Sequence, residues 1–147
     1  ILGDKNPPKR KTIVVGGGAT GCEVAHYLSD NGCEVTIIEM LPKVAVQLEA
    51  MTRKVLISKL KENGVKIMTG QKLSRIEENG AHISDADGNG SFLEAEAVVI
   101  SIGNRPDNQL YEQLKTSGVD VYQIGDCLEP RSAKAAIYES AVIGRTI

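Results

Sequence analysis

A glycine-rich loop near the amino end of the chain constrains the fold more than any other feature. Residues 16–21 read G-G-G-A-T-G, which places the pattern G-x-G-x-x-G at Gly16, Gly18 and Gly21. The apolar run at residues 12–15 predicts a buried strand, and residues 22–31 predict a helix. In such a unit the first glycine permits a tight turn, the second admits a pyrophosphate, and the third lets the helix pack closely on the sheet. The helix N-terminus then offers N–H groups and a positive dipole end to the phosphates.

A second predicted strand supports this interpretation of the loop. Residues 34–38 form a β-branched run that ends in Glu39, about 20 residues past the glycines, where a ribose-binding carboxylate is expected. Such a carboxylate accepts hydrogen bonds from both ribose hydroxyls and repels a 2′-phosphate. We therefore predict NAD rather than NADP. The alternative is a structural glycine-rich loop beside an unrelated surface glutamate.

The composition excludes several classes of function. The net charge of -2 leaves no basic surface for a phosphate backbone, and the absence of Trp with a single Phe argues against base stacking, so we expect no nucleic-acid partner. No apolar run is long enough to span a bilayer, and no signal peptide is evident, so we expect a cytoplasmic protein without a membrane partner. The three cysteines have neither redox-pair nor metal-ligand spacing, so no metal site is predicted.

The remaining pattern predicts an α/β fold. Residues 1–11 are expected to form a linker because they contain Pro7, Pro8 and a basic triplet. A second helix over 49–63 and a third strand over 65–68 continue a β-α-β-α-β unit with a parallel sheet. Short strands at 72–77, 81–84 and 92–95, separated by Asn-Gly and Asp-Gly turns, predict an antiparallel meander. We therefore predict a Rossmann-like parallel sheet with helices on both faces and a β-meander in place of one crossover helix.

The predicted sheet is completed by the apolar run at 97–102, which ends in Gly-Asn-Arg-Pro. A last short strand is predicted at 119–124 and a helix at 132–147. One hypothesis is that this last strand docks beside the strand at 97–102. We assign residues 12–108 to the nucleotide-binding domain and residues 109–147 to a separate C-terminal segment.

Four segments together resemble the NAD(P)H-binding domain of the pyridine nucleotide-disulfide oxidoreductase-like flavoproteins. They are V-V-G-G-G-A-T-G-C-E at 14–23, V-T-I-I-E at 35–39, I-S-I-G-N-R-P-D at 100–107 and V-Y-Q-I-G-D-C-L-E-P-R at 121–131. Within that superfamily, details of these segments are similar to the NADH:flavin oxidoreductases related to enoate reductase and dienoyl-CoA reductase. The resemblance covers nearly all of the chain after the predicted linker.

The resemblance implies roles for the matched residues. The glycines would line the pyrophosphate, Glu39 would hold the adenosine ribose, Glu23 would lie near the nicotinamide, Gly103 would pass close to the cofactor, and Asp126 would face FAD. Two of these have plain structural alternatives: Glu23 as an acid in the first helical turn, and Gly103 as a turn residue. The full set of candidate cofactor-binding residues is Gly16, Gly17, Gly18, Ala19, Thr20, Gly21, Glu23, Glu39, Met40, Gly103 and Asp126; no catalytic residue is predicted.

The resemblance also implies what surrounds this chain. FAD uses a separate, earlier glycine loop in these flavoproteins, and this chain has only one such loop. Residues 109–147 resemble the end of a FAD-binding domain. We therefore expect an excised piece of a longer flavoprotein, with FAD-binding and catalytic domains of the same parent chain as its partners. The predicted function is to position NADH for hydride transfer to the flavin, with little activity in isolation. Two alternatives are an NAD-sensing regulatory domain without catalysis, and a divergent domain whose nucleotide site is only structural.

Overall fold

The structure is a computed structural model that describes residues 10–147. The chain divides into two compact units, one ending at Gly103 and the other running from Asn104 to Ile147. The linker predicted at residues 1–11 falls mostly on residues 1–9, which lie outside the described residues. Lys11 already belongs to the first strand.

The first unit contains seven strands and two helices in its described part. The strands are β1 (Lys11–Val15), β2 (Glu34–Glu39), β3 (Lys66–Thr69), β4 (Lys72–Glu77), β5 (Gly80–Ser84), β6 (Gly90–Glu94) and β7 (Ala97–Ile100), and the helices are α1 (Ala19–Asp30) and α2 (Ala50–Glu62). The second unit contains α3 (Gln109–Leu114), a 3-10 turn (Gly125–Cys127) and α4 (Ala133–Ile143). None of the helices in residues 10–147 combines the length and apolar character that crossing a membrane requires.

A four-stranded parallel sheet lies at the centre of the first unit. Its strand order is β3-β2-β1-β7. Val15, the last residue of β1, stands in register with Ile38 of β2 and Ile100 of β7. The residues that follow, Gly16 and Ser101, therefore meet Glu39 at the carboxyl edge of the sheet, where ligands bind in folds of this class.

The two faces of this sheet are covered by different layers. Val14 and Ile37 face one way and pack against Cys22, Ala25 and Leu60 of the two helices. Ile13, Val15 and Ile38 face the other way and pack against Ala81 and Ile83 of β5. Because successive strand residues point to opposite faces, burial on both faces explains why β1 is a continuous apolar run.

The second face is covered by a three-stranded antiparallel sheet of order β4-β5-β6. The predicted α/β fold, with its parallel sheet and its meander, is confirmed. One detail is corrected: helices were expected on both faces, whereas in the described part of the first unit both helices lie on one face and the meander covers the other. The three short strands present enough apolar surface to take the place of a helical layer.

The second unit departs further from the sequence-based expectation. No strand forms at 119–124, although Ile124 keeps an extended backbone with φ -142° and ψ 164°. The hypothesis that this segment pairs with β7 stays a prediction, because residues 119–124 and β7 belong to different units. A strand needs the hydrogen bonds of a neighbouring strand, and an apolar pattern alone does not supply one. The short helix α3 was not predicted.

Candidate nucleotide-binding site

Gly16 makes the turn at the end of β1. Its φ is +101°, and a Cβ built there would lie 2.1 Å from the carbonyl oxygen of Ser101. Its N–H donates a hydrogen bond of 2.9 Å to the carbonyl oxygen of Ile38. Both the backbone conformation and the close approach of Ser101, the residue after β7, therefore require glycine at this position.

Gly21 and Gly17 are also required by packing. A Cβ on Gly21 would lie 1.9 Å from the carbonyl oxygen of Gly16, so its absence allows the first turn of α1 to sit directly on the loop. A Cβ on Gly17 would lie 2.5 Å from the Cγ1 atom of Val44. These glycines close the loop against its surroundings whether or not a ligand binds.

Gly18 differs from the other three glycines. It has an extended backbone, with φ of -66° and ψ of -176°, which any residue can adopt without strain. A Cβ there would meet only the two terminal atoms of the Gln47 side chain, each 3.9 Å away. Gly18 is the N-cap of α1 and makes no side-chain cap hydrogen bond. The first N–H groups of α1 have no partner within the helix, so they are available beside an open space.

Glu39 fixes the loop from the neighbouring strand. One of its carboxylate oxygens, Oε2, accepts a 2.6 Å hydrogen bond from the N–H of Gly17, and the other, Oε1, accepts a 2.8 Å bond from the N–H of Leu41. A carboxylate has about four acceptor positions, so both oxygens retain capacity for further donors. The half-buried side chain thus presents a negative charge and free acceptor positions at the carboxyl edge of the sheet.

A segment that the sequence analysis did not identify, residues 44–48, holds the other side of the loop. The N–H of Ala45 donates a 2.6 Å hydrogen bond to the carbonyl oxygen of Gly17, and Arg53 Nε donates a 2.8 Å bond to the carbonyl oxygen of Val44. Ala45 is buried and has a φ of +52°, a conformation that alanine rarely adopts. The sequence does not predict this conformation at Ala45, because glycine and asparagine are the residues that usually adopt it.

Cys22 lies directly under the loop and is fully buried. Its Sγ is 3.5 Å from the carbonyl oxygen of Gly17. Burial, followed by the negative charge of Glu39, raises the pKa of this thiol from 9.0 to about 11. The thiol is therefore protonated at neutral pH and acts as a small packing group, not as a nucleophile.

The structure brings most of the predicted residues together. Ala19 and Thr20 form the first turn of α1, and the exposed Met40 follows Glu39 directly. Glu23 is exposed and lies beyond the first helical turn, which contains no acidic residue, so the alternative of a first-turn acid is wrong.

Two predicted residues lie apart from this group in the chain. Gly103 lies three residues after β7 with a φ of +86° and no atom within 4 Å of its Cβ position, so the backbone conformation alone accounts for glycine there. Asp126 is exposed in the 3-10 turn of the second unit, where the N–H of Gly125 donates a 2.7 Å hydrogen bond to Glu139 Oε2. The described residues contain no cluster of three or more His, Cys, Asp or Glu side chains able to hold a metal ion.

The geometry fits the adenosine and pyrophosphate part of a dinucleotide. The open side of Gly18 is a cradle that a Cβ would fill, and the adjacent helix N-terminus supplies neutral donors for an anion. The carboxylate of Glu39 stands at the end of the neighbouring strand with acceptor capacity for hydroxyl groups. This is the arrangement in which doubly wound sheets bind dinucleotides.

Comparison with known proteins agrees with this geometry. Residues 2–140 match the family described as pyridine nucleotide-disulphide oxidoreductase. The chain is 37% identical over 117 residues to an NADH oxidase from Thermoanaerobacter brockii, covering 79% of this chain and 18% of that protein. It is 33% identical over 129 residues to a bilirubin reductase from Mediterraneibacter gnavus (strain CC55_001C), covering 88% of this chain and 20% of that protein.

A solved structure of 2-naphthoyl-CoA reductase in complex with 2-naphthoyl-CoA superimposes with a TM-score of 0.77 at 27% identity, covering 93% of this chain and 21% of that one. The chain thus spans about a fifth of the length of each of these three proteins.

Proposed function

This chain belongs to the pyridine nucleotide-disulphide oxidoreductase family, and we propose that it is the NADH-binding region of a larger flavin-dependent oxidoreductase. The observation that carries the proposal is the open side of Gly18. Three glycines of the loop are explained by packing, because a Cβ on any of them would collide with neighbouring atoms. Gly18 has no such explanation in the structure. A ligand that approaches the backbone at this point supplies one.

The capping preferences of helices strengthen this argument. Ser, Asn and Asp are better N-cap residues than glycine, and Gly18 has a backbone conformation that each of them adopts. Stability alone would therefore favour a hydroxyl or amide side chain at this position. The chain instead keeps the residue that leaves the cradle open, as binding of a pyrophosphate requires.

The carboxylate of Glu39 supports NADH over NADPH. Its remaining acceptor positions suit the two hydroxyls of an unmodified ribose. A 2′-phosphate at the same place would bring a second negative charge against a half-buried carboxylate. We therefore propose that Glu39 selects the unphosphorylated cofactor.

The side chains of this site bind and orient, and none of them is proposed to transfer a proton. When bound, NADH supplies a hydride to the flavin of the parent protein. The loop and the N-terminus of α1 hold the pyrophosphate, Glu39 holds the ribose, and Glu23 and Gly103 are proposed to lie toward the nicotinamide. The buried thiol of Cys22 stays protonated because burial raises its pKa, and it takes no part in the chemistry.

The flavin partner is proposed from the lengths of the relatives and from the second unit. Because the chain spans about a fifth of these relatives, most of such a protein lies outside this sequence. The 3-10 turn that carries Asp126 is held to α4 by Glu139, which also pairs with Arg131. We propose that Asp126, presented by this braced turn, faces FAD bound mainly by other parts of the parent chain.

Calorimetric titration of this chain with NADH and NADPH tests the proposal. We expect NADH to bind and NADPH to bind at least about tenfold more weakly, which corresponds to about 1.4 kcal/mol. The Gly18→Ser variant should bind NADH at least about tenfold more weakly while its melting temperature stays equal or rises, because serine caps α1.

Gly90→Ser is the matched control for this titration. Gly90 lies in β6, and a Cβ there makes only an ordinary contact of 3.7 Å with the carbonyl oxygen of Ile83. This variant should bind NADH as the unaltered chain does. Unchanged NADH affinity in Gly18→Ser, or a folded chain that binds neither nucleotide, would contradict the proposal.

A further inference from the structure

The side chain nearest to the open face of Gly18 belongs to Gln47. Its Nε2 and Oε1 atoms each lie 3.9 Å from the position that a Cβ on Gly18 would occupy. Nitrogen and oxygen of an amide are exchanged by a simple flip, so an N–H donor lies on the cradle side in either orientation. Among residues 10–147 this amide makes no hydrogen bond, and the side chain is exposed. An unpaired amide therefore overhangs the place where the dinucleotide is proposed to bind.

The backbone around Gln47 is held firmly despite lying in a connecting segment. Ala45 is bonded to the carbonyl oxygen of Gly17, and the N–H of Leu48 donates a 3.2 Å bond back to the carbonyl oxygen of Ala45. The left-handed backbone of Ala45, with a φ of +52°, is unfavourable for an alanine. The fold tolerates this strain at the turn that leads the chain past the loop and brings Gln47 over the cradle.

The charges near the loop explain why a further hydrogen-bond donor such as this amide would help to bind an anion. The donors on the α1 side are neutral backbone N–H groups, and the charged group bonded to the loop itself is the carboxylate of Glu39. The guanidinium of Arg53 is bonded to the carbonyl oxygen of Val44, next to the loop and not to it. A pyrophosphate carries negative charge and needs donors on more than one side. Gln47 is the side chain whose atoms lie within 4 Å of the Cβ position on Gly18.

We infer that Gln47 is a second wall of the pyrophosphate site, donating a hydrogen bond from its amide to the anion that α1 binds from the other side. This inference rests on the proposed function and adds to it a residue outside the glycine motif. Gln47 acts in binding and in positioning the cofactor, not in hydride transfer.

A charge series at position 47 tests the inference, with NADH as the probe. Its pyrophosphate is the charged group of NADH, because the reduced nicotinamide is neutral. We expect affinity to fall in the order Gln47→Lys, unaltered chain, Gln47→Leu, Gln47→Glu. Loss of the hydrogen bond in Gln47→Leu should weaken binding about tenfold. The difference in NADH affinity between the Lys and Glu variants should become smaller at high salt, because salt screens exposed charges.

Asn79→Lys and Asn79→Asp are the matched controls. Asn79 is exposed and lies in a turn, and its carbonyl oxygen accepts a 3.0 Å hydrogen bond from the N–H of Ala95. The N–H of the next residue, Glu96, donates a hydrogen bond to the carbonyl oxygen of Lys11 at the start of β1. This turn is therefore at the amino edge of the parallel sheet, opposite the glycine loop. The same charge changes at this position should leave NADH affinity unchanged. The melting temperature of every variant should stay near that of the unaltered chain.

The outcomes separate this inference from the proposed function. If the unaltered chain binds NADH and Gly18→Ser does not, but all three variants at position 47 bind equally well, then the site stands and the role of Gln47 is refuted. Equal weakening in the Lys and Glu variants would refute it too, because a purely steric role has no dependence on charge. Matching shifts in the Asn79 variants would show a long-range charge effect and would also overturn the inference.

Discussion

Replacement of Gly21 by alanine tests the packing of the first helix on the glycine loop. The new Cβ would lie 1.9 Å from the carbonyl oxygen of Gly16 and 3.0 Å from its carbonyl carbon. Carbon and oxygen atoms in contact normally stand about 3.3–3.6 Å apart, so one partner must move by about 1.5 Å. A backbone carbonyl cannot swing aside as a side chain can.

The structure indicates which partner moves. Gly16 is anchored through its N–H to the carbonyl oxygen of Ile38, and its left-handed φ fixes the turn. The helix α1 must therefore shift, and it carries the buried residues Cys22, Ala25 and Leu28 into the core. Overpacking of this kind typically costs about 1–3 kcal/mol. For a unit of this size, each kcal/mol lowers the melting temperature by about 4–8 °C.

Urea denaturation followed by circular dichroism measures this effect. Gly21→Ala should shift the unfolding midpoint to lower urea with little change in slope. Gly90→Ala is the control, because its Cβ enters ordinary contact distance in β6. An unfolding midpoint for Gly21→Ala equal to that of the control would refute the close approach of α1 to the loop.

Three further predictions concern titratable groups. In the folded chain a thiol reagent at pH 8 should modify the half-buried Cys127 quickly and Cys22 only after unfolding, as mass spectrometry of the labelled peptides can verify. Because folding raises the pKa of Cys22 from 9.0 to about 11, the stability this group contributes is present below pH 9 and declines as pH rises toward 11, a loss that Cys22→Ala should not show. Hydrogen bonds from the N–H groups of Met51 and Thr52 lower the pKa of Glu49, the N-cap of α2, below 4.5. That contribution is present above pH 4.5 and disappears as pH falls through the lowered value, so acid titration of Glu49→Gln by circular dichroism should give a flatter stability profile than that of the unaltered chain.

Local sequence patterns were sufficient to place several elements of the first unit. The strand predicted at 72–77 has the bounds found in the structure, and the helix predicted at 49–63 differs from α2 by one residue at each end. The resemblance to the pyridine nucleotide-disulfide oxidoreductases is confirmed by the family match over residues 2–140. The adjacency of Glu39 to the glycine loop could also be predicted, because the carboxyl ends of neighbouring parallel strands meet at one edge.

The failures in the sequence-based predictions have a common cause. Residues 119–124 have the apolar pattern of a strand, but no neighbouring strand pairs with them in the described structure. The first helix begins at Ala19, three residues earlier than predicted, because the glycine loop enters the helix directly after Gly18. The residue pattern of a segment shows which secondary structure it favours. Whether a strand pairs, and where a helix begins, depends on the residues that lie beside that segment in the fold.

The sequence by itself determined that a parallel sheet with a glycine loop and an acidic strand end would form, because periodicity and glycine spacing are local properties of the chain. Only the tertiary structure decided that the meander covers the second face, that residues 44–48 clamp the loop, and that Gly18 has an open side overhung by Gln47. These features depend on distances between residues far apart in sequence. The sequence cannot distinguish a glycine required by packing from a glycine that leaves room for a ligand, because only the positions of the surrounding atoms differ between them.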